Sequence, residues 1–94
     1  MDASEHISLD CGIAYARIES WLETELPTTV ATGEDGSWIF EASGETCRIR
    51  IEPLQPRTYG PIALERTLLT VDGAKPAVDE FQRLFTLRFC SAGG

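Results

Sequence analysis

The segment Ser37–Glu52 constrains the fold of this chain more than any other part of the sequence. Before the short break Ser43–Glu45, the large residues Trp38 and Phe40 alternate with smaller or polar residues. After the break one set of positions is apolar (Cys47, Ile49, Ile51) and the other is charged (Arg48, Arg50, Glu52). A period of two residues on both sides of a glycine-containing break predicts a β-hairpin with one buried face and one free face.

The size and composition of the chain fit one soluble domain, and we expect residues 1–94 to fold as a single unit. Hydrophobic residues make up 43% and charged residues 24%, which is ordinary for a globular protein and wrong for a disordered one. No apolar run approaches the roughly 18–20 residues of a membrane-spanning helix. The N-terminus, MDASEHISLD, is polar and acidic, unlike a signal or transit peptide. These features predict a cytoplasmic protein that does not enter a membrane.

The net charge of −7 is unevenly distributed along the chain. Residues 1–45 hold ten acidic and one basic residue, whereas residues 46–94 hold five acidic and seven basic residues. An acidic protein is a poor default binder of nucleic acid, because contacts with phosphate supply most of the non-specific affinity. Of the eight basic residues seven are arginine, which suits planar contacts with carboxylates of this chain or of a protein partner.

The cysteines and the histidine form no recognisable metal or catalytic motif. Cys11, Cys47 and Cys90 are widely spaced, no CxxC occurs, and His6 is the only imidazole. We therefore expect buried, reduced thiols, no metal and no cofactor. With one histidine and one lysine, the chain offers few residues for catalysis, so the sequence favours a protein that is not an enzyme, without excluding one.

Two helices are predicted, one near each end of the chain. Apolar residues recur at three- and four-residue steps between Asp10, a candidate N-cap, and Leu26, so we expect a helix over 10–26 that ends before Pro27. A second helix begins at Lys75, with its proline in the first turn. Residues 1–9 and 91–94 are expected to be flexible ends.

Four strands are predicted between the helices, which gives an α+β fold in the order α-β-β-β-β-α, with both helices on one face of an antiparallel sheet. Residues 28–32 read as a short edge strand, and 62–71 as the last strand, with a bulge near Leu68 and Leu69. Between them, Pro53–Pro61 contains three prolines and a glycine and is expected to be an irregular loop. The expected core consists of Tyr15, Ile18, Trp21, Leu22, Trp38, Phe40, Ile49, Ile51, Leu64, Leu68, Phe81, Leu84 and Phe85.

The leading functional hypothesis is a small protein-interaction module: an adaptor, a chaperone-like accessory or a subunit of a complex. Its binding residues would be Ile39, Arg48 and Arg50 on the free sheet face, with Arg57 and Tyr59 from the 53–61 loop. The same charges also fit a solvated sheet face whose opposite charges pair across strands.

Three alternatives remain open at this level. A pocket beneath the 53–61 loop would make the protein a small-molecule-binding domain or an enzyme. The Gly93–Gly94 end resembles the reacting end of ubiquitin-like and sulfur-carrier proteins, although those proteins open with a β-hairpin and this chain is predicted to open with a helix. Self-association as a homodimer is a further expectation, through edge strands and the aromatic residues Trp21, Trp38 and Phe89.

Overall fold

A computed structural model of the protein describes residues 4–26, 29–31 and 37–90, with the backbone alone for 29–31. The elements are β1 (Ser4–Cys11), α1 (Tyr15–Thr24), β2 (Thr29–Ala31), β3 (Ser37–Ala42), β4 (Glu45–Tyr59), β5 (Ile62–Ala74) and α2 (Lys75–Phe89). All strand pairs are antiparallel, in the order β1-β5-β4-β3-β2. The α+β class, the two helices and the run of four strands between them are confirmed. No helix within the described ranges is long and apolar enough to span a bilayer.

The sheet has a fifth strand that was not predicted from the sequence. Ser4–Cys11, expected to be a flexible end followed by helix, forms edge strand β1 and pairs with β5 from Ser4–Ala74 to Cys11–Thr67. Ile7, Leu9 and Cys11 alternate with polar residues, but this period-two signal is short and Cys11 also fits the apolar stripe of a helix. Helix α1 consequently begins at Tyr15 instead of residue 10, and Ala14 is its N-cap residue, not Asp10.

The predicted central hairpin is confirmed. Strands β3 and β4 pair from Ser37–Arg50 to Ala42–Glu45, and the connecting Ser43 and Gly44 have positive φ of 57° and 75°. Positive φ at both turn residues is typical of two-residue hairpin turns, because their twist matches that of the strands.

Both helices cover one face of the sheet, and the hydrophobic core lies between the helices and that face. Trp21 of α1 packs against Phe81 and Phe85 of α2, with ring centroids 5.6 and 5.8 Å apart, and Phe81 also packs against Phe40 of β3 at 5.6 Å. The sheet contributes its inward positions to this core: Trp38, Phe40, Cys47, Ile49, Ile51, Leu69 and Val71. Of the expected core residues, Leu64 is exposed and Leu68 is only half-buried, on the opposite face.

One buried hydrogen bond attaches the connection between β1 and α1 to the sheet. The fully buried Thr67 hydroxyl donates to the carbonyl oxygen of Ile13 at 2.6 Å. Because an unpaired buried carbonyl is costly, this contact fixes where the chain leaves β1 and turns towards α1.

Gly73 of β5 lies where three strands come close together, opposite Cys47 of β4 and Glu5 of β1. Its φ is +149°, and a Cβ atom there would lie 2.5 Å from the Cα of Cys47 and 2.7 Å from the carbonyl oxygen of Thr46. These atoms belong to the backbone and cannot move aside cheaply. Only glycine fits this position without strain.

We predict that Gly73→Ala lowers the free energy of unfolding by about 2 kcal/mol or more, through backbone strain and the collision with β4. Urea denaturation followed by tryptophan fluorescence measures the change. Gly12→Ala is the matched control, because a Cβ at Gly12 meets nothing within 4 Å. Equal stability of the two variants would contradict this account of Gly73.

Candidate protein-binding surface

The segment expected to be an irregular loop is instead part of a long β-hairpin that extends beyond the rest of the sheet. Among the described residues, β4 pairs with β3 only as far as Arg50, and β5 pairs with β1 only from Thr67 onwards. Beyond these points β4 and β5 pair only with each other, and we call this two-stranded part, residues 54–66, the arm. The molecule is accordingly elongated, with extents of 50 × 33 × 26 Å.

The prolines of this segment are compatible with a strand because of where they lie. Pro53 and Pro56 belong to the part of β4 that follows its last pairing with β3, where β5 is the only neighbour of β4 among the described strands. Pro56 also falls within a register shift between Leu54 and Arg57. Edge positions and bulges are the two places where a sheet tolerates a residue without an N–H. The prolines exclude a central strand, as expected, but not a strand.

The register shift changes which residues of β4 face the uncovered side of the sheet. Leu54 lies opposite Arg66 and Arg57 opposite Leu64, so three steps along β4 match two along β5. Such a one-residue bulge reverses the alternation of the bulged strand. Even-numbered residues of β4 face outward before the bulge, and odd-numbered residues do so after it.

The bulge therefore places Arg57 and Tyr59 on the same face of the sheet as Ile39, Arg48 and Arg50, the other binding residues predicted from the sequence. We call the uncovered side of the sheet the open face; on it lie Ile39, Arg48, Arg50, Arg57 and Tyr59. Arg48 lies between Ile39 and Asp72 in neighbouring strands, and His6 pairs with Asp72 on the next strand. The arginines are exposed and Ile39 is half-buried.

The arm adds an apolar patch to the open face that the sequence reading did not identify. Tyr59, Ile62 and Leu64 are 55%, 57% and 50% exposed, and all three face the same side. The sequence places Leu64 in the core because Leu64 and Leu68 share one face of the predicted strand, and the predicted bulge at Leu68 and Leu69 changes the face only after them. The bulge lies in β4 instead, and the regular alternation of β5 carries Ile62 and Leu64 outward.

Arg66 fastens the base of the arm to the edge of the sheet. Its guanidinium donates to both carboxylate oxygens of Asp10 on β1, at 2.6 and 3.2 Å, and to the carbonyl oxygen of Gln55 in the bulge at 3.0 Å. One side chain thus connects β1, β5 and the bulge. The hydrogen bonds from Arg66, together with the positive charges of Arg66 and Arg57, hold the pKa of Asp10 below its ordinary value.

A cavity of about 360 Å³ lies at this junction, beside the arm; no helix residue lines it, whereas the predicted pocket was to lie between the sheet and the helices. Asp10 and Gly12 line one side of it, and Arg57, Tyr59 and Leu64 line the other. Because Arg66 is paired with Asp10, and Glu65 also lines the cavity, its positive charge is largely balanced.

Cys11 and Cys47 are buried, as expected, whereas Cys90 is exposed at the end of α2, and Cys47 is poorly arranged for nucleophilic chemistry. Burial, with a smaller contribution from the charge of Asp72, raises the pKa of Cys47 to about 11, so its thiol stays protonated near neutral pH. Cys47 belongs to the covered face, whereas His6 lies on the open face paired with Asp72. Within the described ranges, no three His, Cys, Asp or Glu side chains come together as a metal-binding group.

Two other expectations meet different outcomes. Trp21 and Trp38, proposed as dimer contacts, are buried in the core and are unavailable at the surface, while Phe89 is partly buried against the core. Gly93 and Gly94 lie outside the described residues.

Comparisons with models of known protein families, with curated proteins and with solved structures each returned no match.

We predict that the Asp10–Arg66 pair protects the backbone amides at the base of the arm in a pH-dependent way. The pKa of Asp10 is lowered in the folded state. The ion pair therefore stabilises the base of the arm fully above the ordinary carboxylate pKa of about 3.9, and this stabilisation is lost as the pH falls through the lowered pKa. Asp10→Asn should therefore speed hydrogen exchange in the arm near neutral pH, and its difference from the wild type should shrink in acid.

Asp79→Asn is the control, because it removes an exposed carboxylate that pairs with Lys75 on α2, away from the arm. This variant should leave exchange in the arm unchanged at every pH. A difference between Asp10→Asn and the wild type that persists unaltered into acid would contradict the role given to the ion pair.

Proposed function

We propose that the protein is an interaction module that binds a protein partner through its open face and arm. The observation that carries this proposal is the arm itself, which presents Tyr59, Ile62 and Leu64 on the side that also bears Arg48 and Arg50. Three exposed apolar side chains on one side of a projecting hairpin form a contiguous patch, and such patches are typical of interaction surfaces.

The residue types of this surface support binding. Tyrosine and arginine are the residues most enriched, together with tryptophan, among those that dominate binding energy at interfaces. An aromatic ring such as that of tyrosine buries a large area at little cost in side-chain entropy. Tyr59 and Arg57 project from the same strand, with Leu64 directly opposite Arg57. Burying a half-exposed aliphatic or aromatic side chain in an interface contributes roughly 1 kcal/mol or more.

The architecture also supports it, because a well-packed body holds the surface in place. The covered face buries the aromatic cluster of α1 and α2, and β4 and β5 run without interruption from that core into the arm. Sites carried by strands are held more accurately than sites on loops. Arg66 further restrains the arm at its base.

The chemistry of the open face indicates the kind of partner. Arg57 lies directly opposite Leu64 in the apolar patch, and Arg48 and Arg50 lie further along β4, opposite Asp72 and Thr70. Arginine binds carboxylates in a planar, bidentate way. The complementary surface is one that carries an apolar group for the patch and aspartate or glutamate to one side of it.

The cavity beside the arm favours a second candidate, a small-molecule site. Its volume of about 360 Å³ falls within the range of ligand pockets. The carboxylates of Asp10 and Glu65 weaken it as a site for an anion. Saturable thermal stabilisation by a small anionic compound would favour this candidate, and the absence of any shift would count against it.

We predict that Arg48→Glu combined with Arg50→Glu leaves the fold intact and weakens capture of a stoichiometric partner from native cells by tenfold or more. Reversing two charges in an interface replaces attraction by repulsion, which commonly costs several kcal/mol. The measurement is quantitative affinity capture with the full chain as bait, compared with the wild type.

The matched control is Arg83→Glu combined with Arg88→Glu, which makes the same change of charge on α2, on the other side of the sheet. If both double variants lose the partner equally, net charge and not the open face is responsible. If neither loses it, the open face is not the binding surface.

A further inference from the structure

One edge of the arm is available for pairing with another strand. Strand β1 ends at Cys11, opposite Thr67, while β5 continues for five more residues, Ile62–Arg66. Four of these five residues pair with β4 and Glu65 lies at the register shift, and no strand in the described part of the chain continues the line of β1 beside them; we call this the vacant edge. The cavity that Asp10, Gly12 and Arg66 share with Arg57, Tyr59, Leu64 and Glu65 borders both this vacant edge and the open face.

The two edges of the arm differ in their capacity to accept a strand. The β4 edge carries Pro53 and Pro56 and a bulge, all of which are devices that prevent pairing between sheet edges. The β5 edge has no proline between Ile62 and Arg66, and the extra residue of the bulge opposite Glu65 belongs to β4. A two-stranded ribbon is marginally stable by itself, and a third strand would stabilise it.

We propose that the vacant edge is filled by the same edge of a second copy of this chain, giving a two-fold symmetric dimer in which the Ile62–Arg66 segments pair antiparallel. The pairing uses the backbone edge of β5, whereas the interaction proposed above uses the side chains of the open face; Ile62 and Leu64 belong to both, and Arg48 and Arg50 to the open face alone. The pairing is isologous, so each arm supplies the third strand that the other lacks.

The length of the vacant segment fits a pairing centred on Leu64. In that register Leu64 faces Leu64 of the second copy, Ile62 faces Arg66, and Ala63 faces Glu65. An apolar pair then lies on the two-fold axis, and no two like charges are directly opposite. Pro61 follows at the end of the segment and has no N–H, so pairing stops where β1 of the other copy begins.

The charge distribution favours contact between arms over contact between bodies. Each chain has a net charge of −7, and residues 1–45 hold ten of its fifteen acidic residues. Within the arm, Arg57 balances Glu65, and Arg66 is paired with Asp10. Two copies that meet through their arms therefore join at their least charged projecting parts.

Sedimentation equilibrium of the full chain tests the proposal with a charge exchange at Leu64. The wild type should reach twice the 10.3 kDa mass of one chain as its concentration rises. Leu64→Glu alone and Leu64→Lys alone should each remain monomeric, because like charges then meet on the axis. An equal mixture of the two variants should recover the dimer, because opposite charges meet there.

Three outcomes would overturn the proposal: a wild type that stays monomeric throughout, a dimer that survives Leu64→Glu, or a mixture of the two variants that fails to associate. Leu87→Glu controls for loss of an exposed leucine, since Leu87 is 54% exposed on α2, and it should dimerise like the wild type. Arg48→Glu with Arg50→Glu should also dimerise, so failure of the dimer and failure of partner binding are distinguishable. Circular dichroism and thermal unfolding verify that each variant is folded.

Discussion

The pairing of β4 with β5 is the interaction on which the rest of the structure depends. Along one half of its length, this ladder is the centre of the sheet and supplies Ile49, Ile51, Leu69 and Val71 to the core beneath the helices. Along the other half it has no neighbour among the described strands and forms the arm. One ladder, with a single bulge, thus joins the core of the protein to the arm that carries the proposed binding surface.

Alternation along β3 and β4 predicted the hairpin, its covered face and the outward placement of Arg48 and Arg50, because side chains in a paired strand have a strict period of two. The same alternation did not predict the arm. Whether Pro53 and Pro56 break a strand depends on whether that strand has a neighbour on the side of the missing N–H, and neighbours are decided by tertiary structure. The outward position of Leu64 was not predicted either, since it depends on the location of the bulge.

Strand β1 shows a related limit of reasoning from sequence. An edge strand beside an acidic N-terminus has few residues that alternate clearly, and its assignment depends on pairing with residues more than fifty positions away in β5. Once β1 is placed, Asp10 changes from a candidate helix cap into the anion of an ion pair that restrains the arm. Because β1 was not predicted, the contact between Asp10 and Arg66 at the base of the candidate binding surface was not predicted either.

The bulge between Leu54 and Arg57 has a consequence for how the arm can vary. Each residue inserted into a strand moves the side chains beyond it to the opposite face of the sheet. Tyr59 therefore stays on the open face only if β4 and β5 each gain or lose an even number of residues. Related proteins that keep the same binding mode should therefore differ in arm length by pairs of residues in each strand. Those that differ by a single residue should carry a compensating second bulge, or present a different surface.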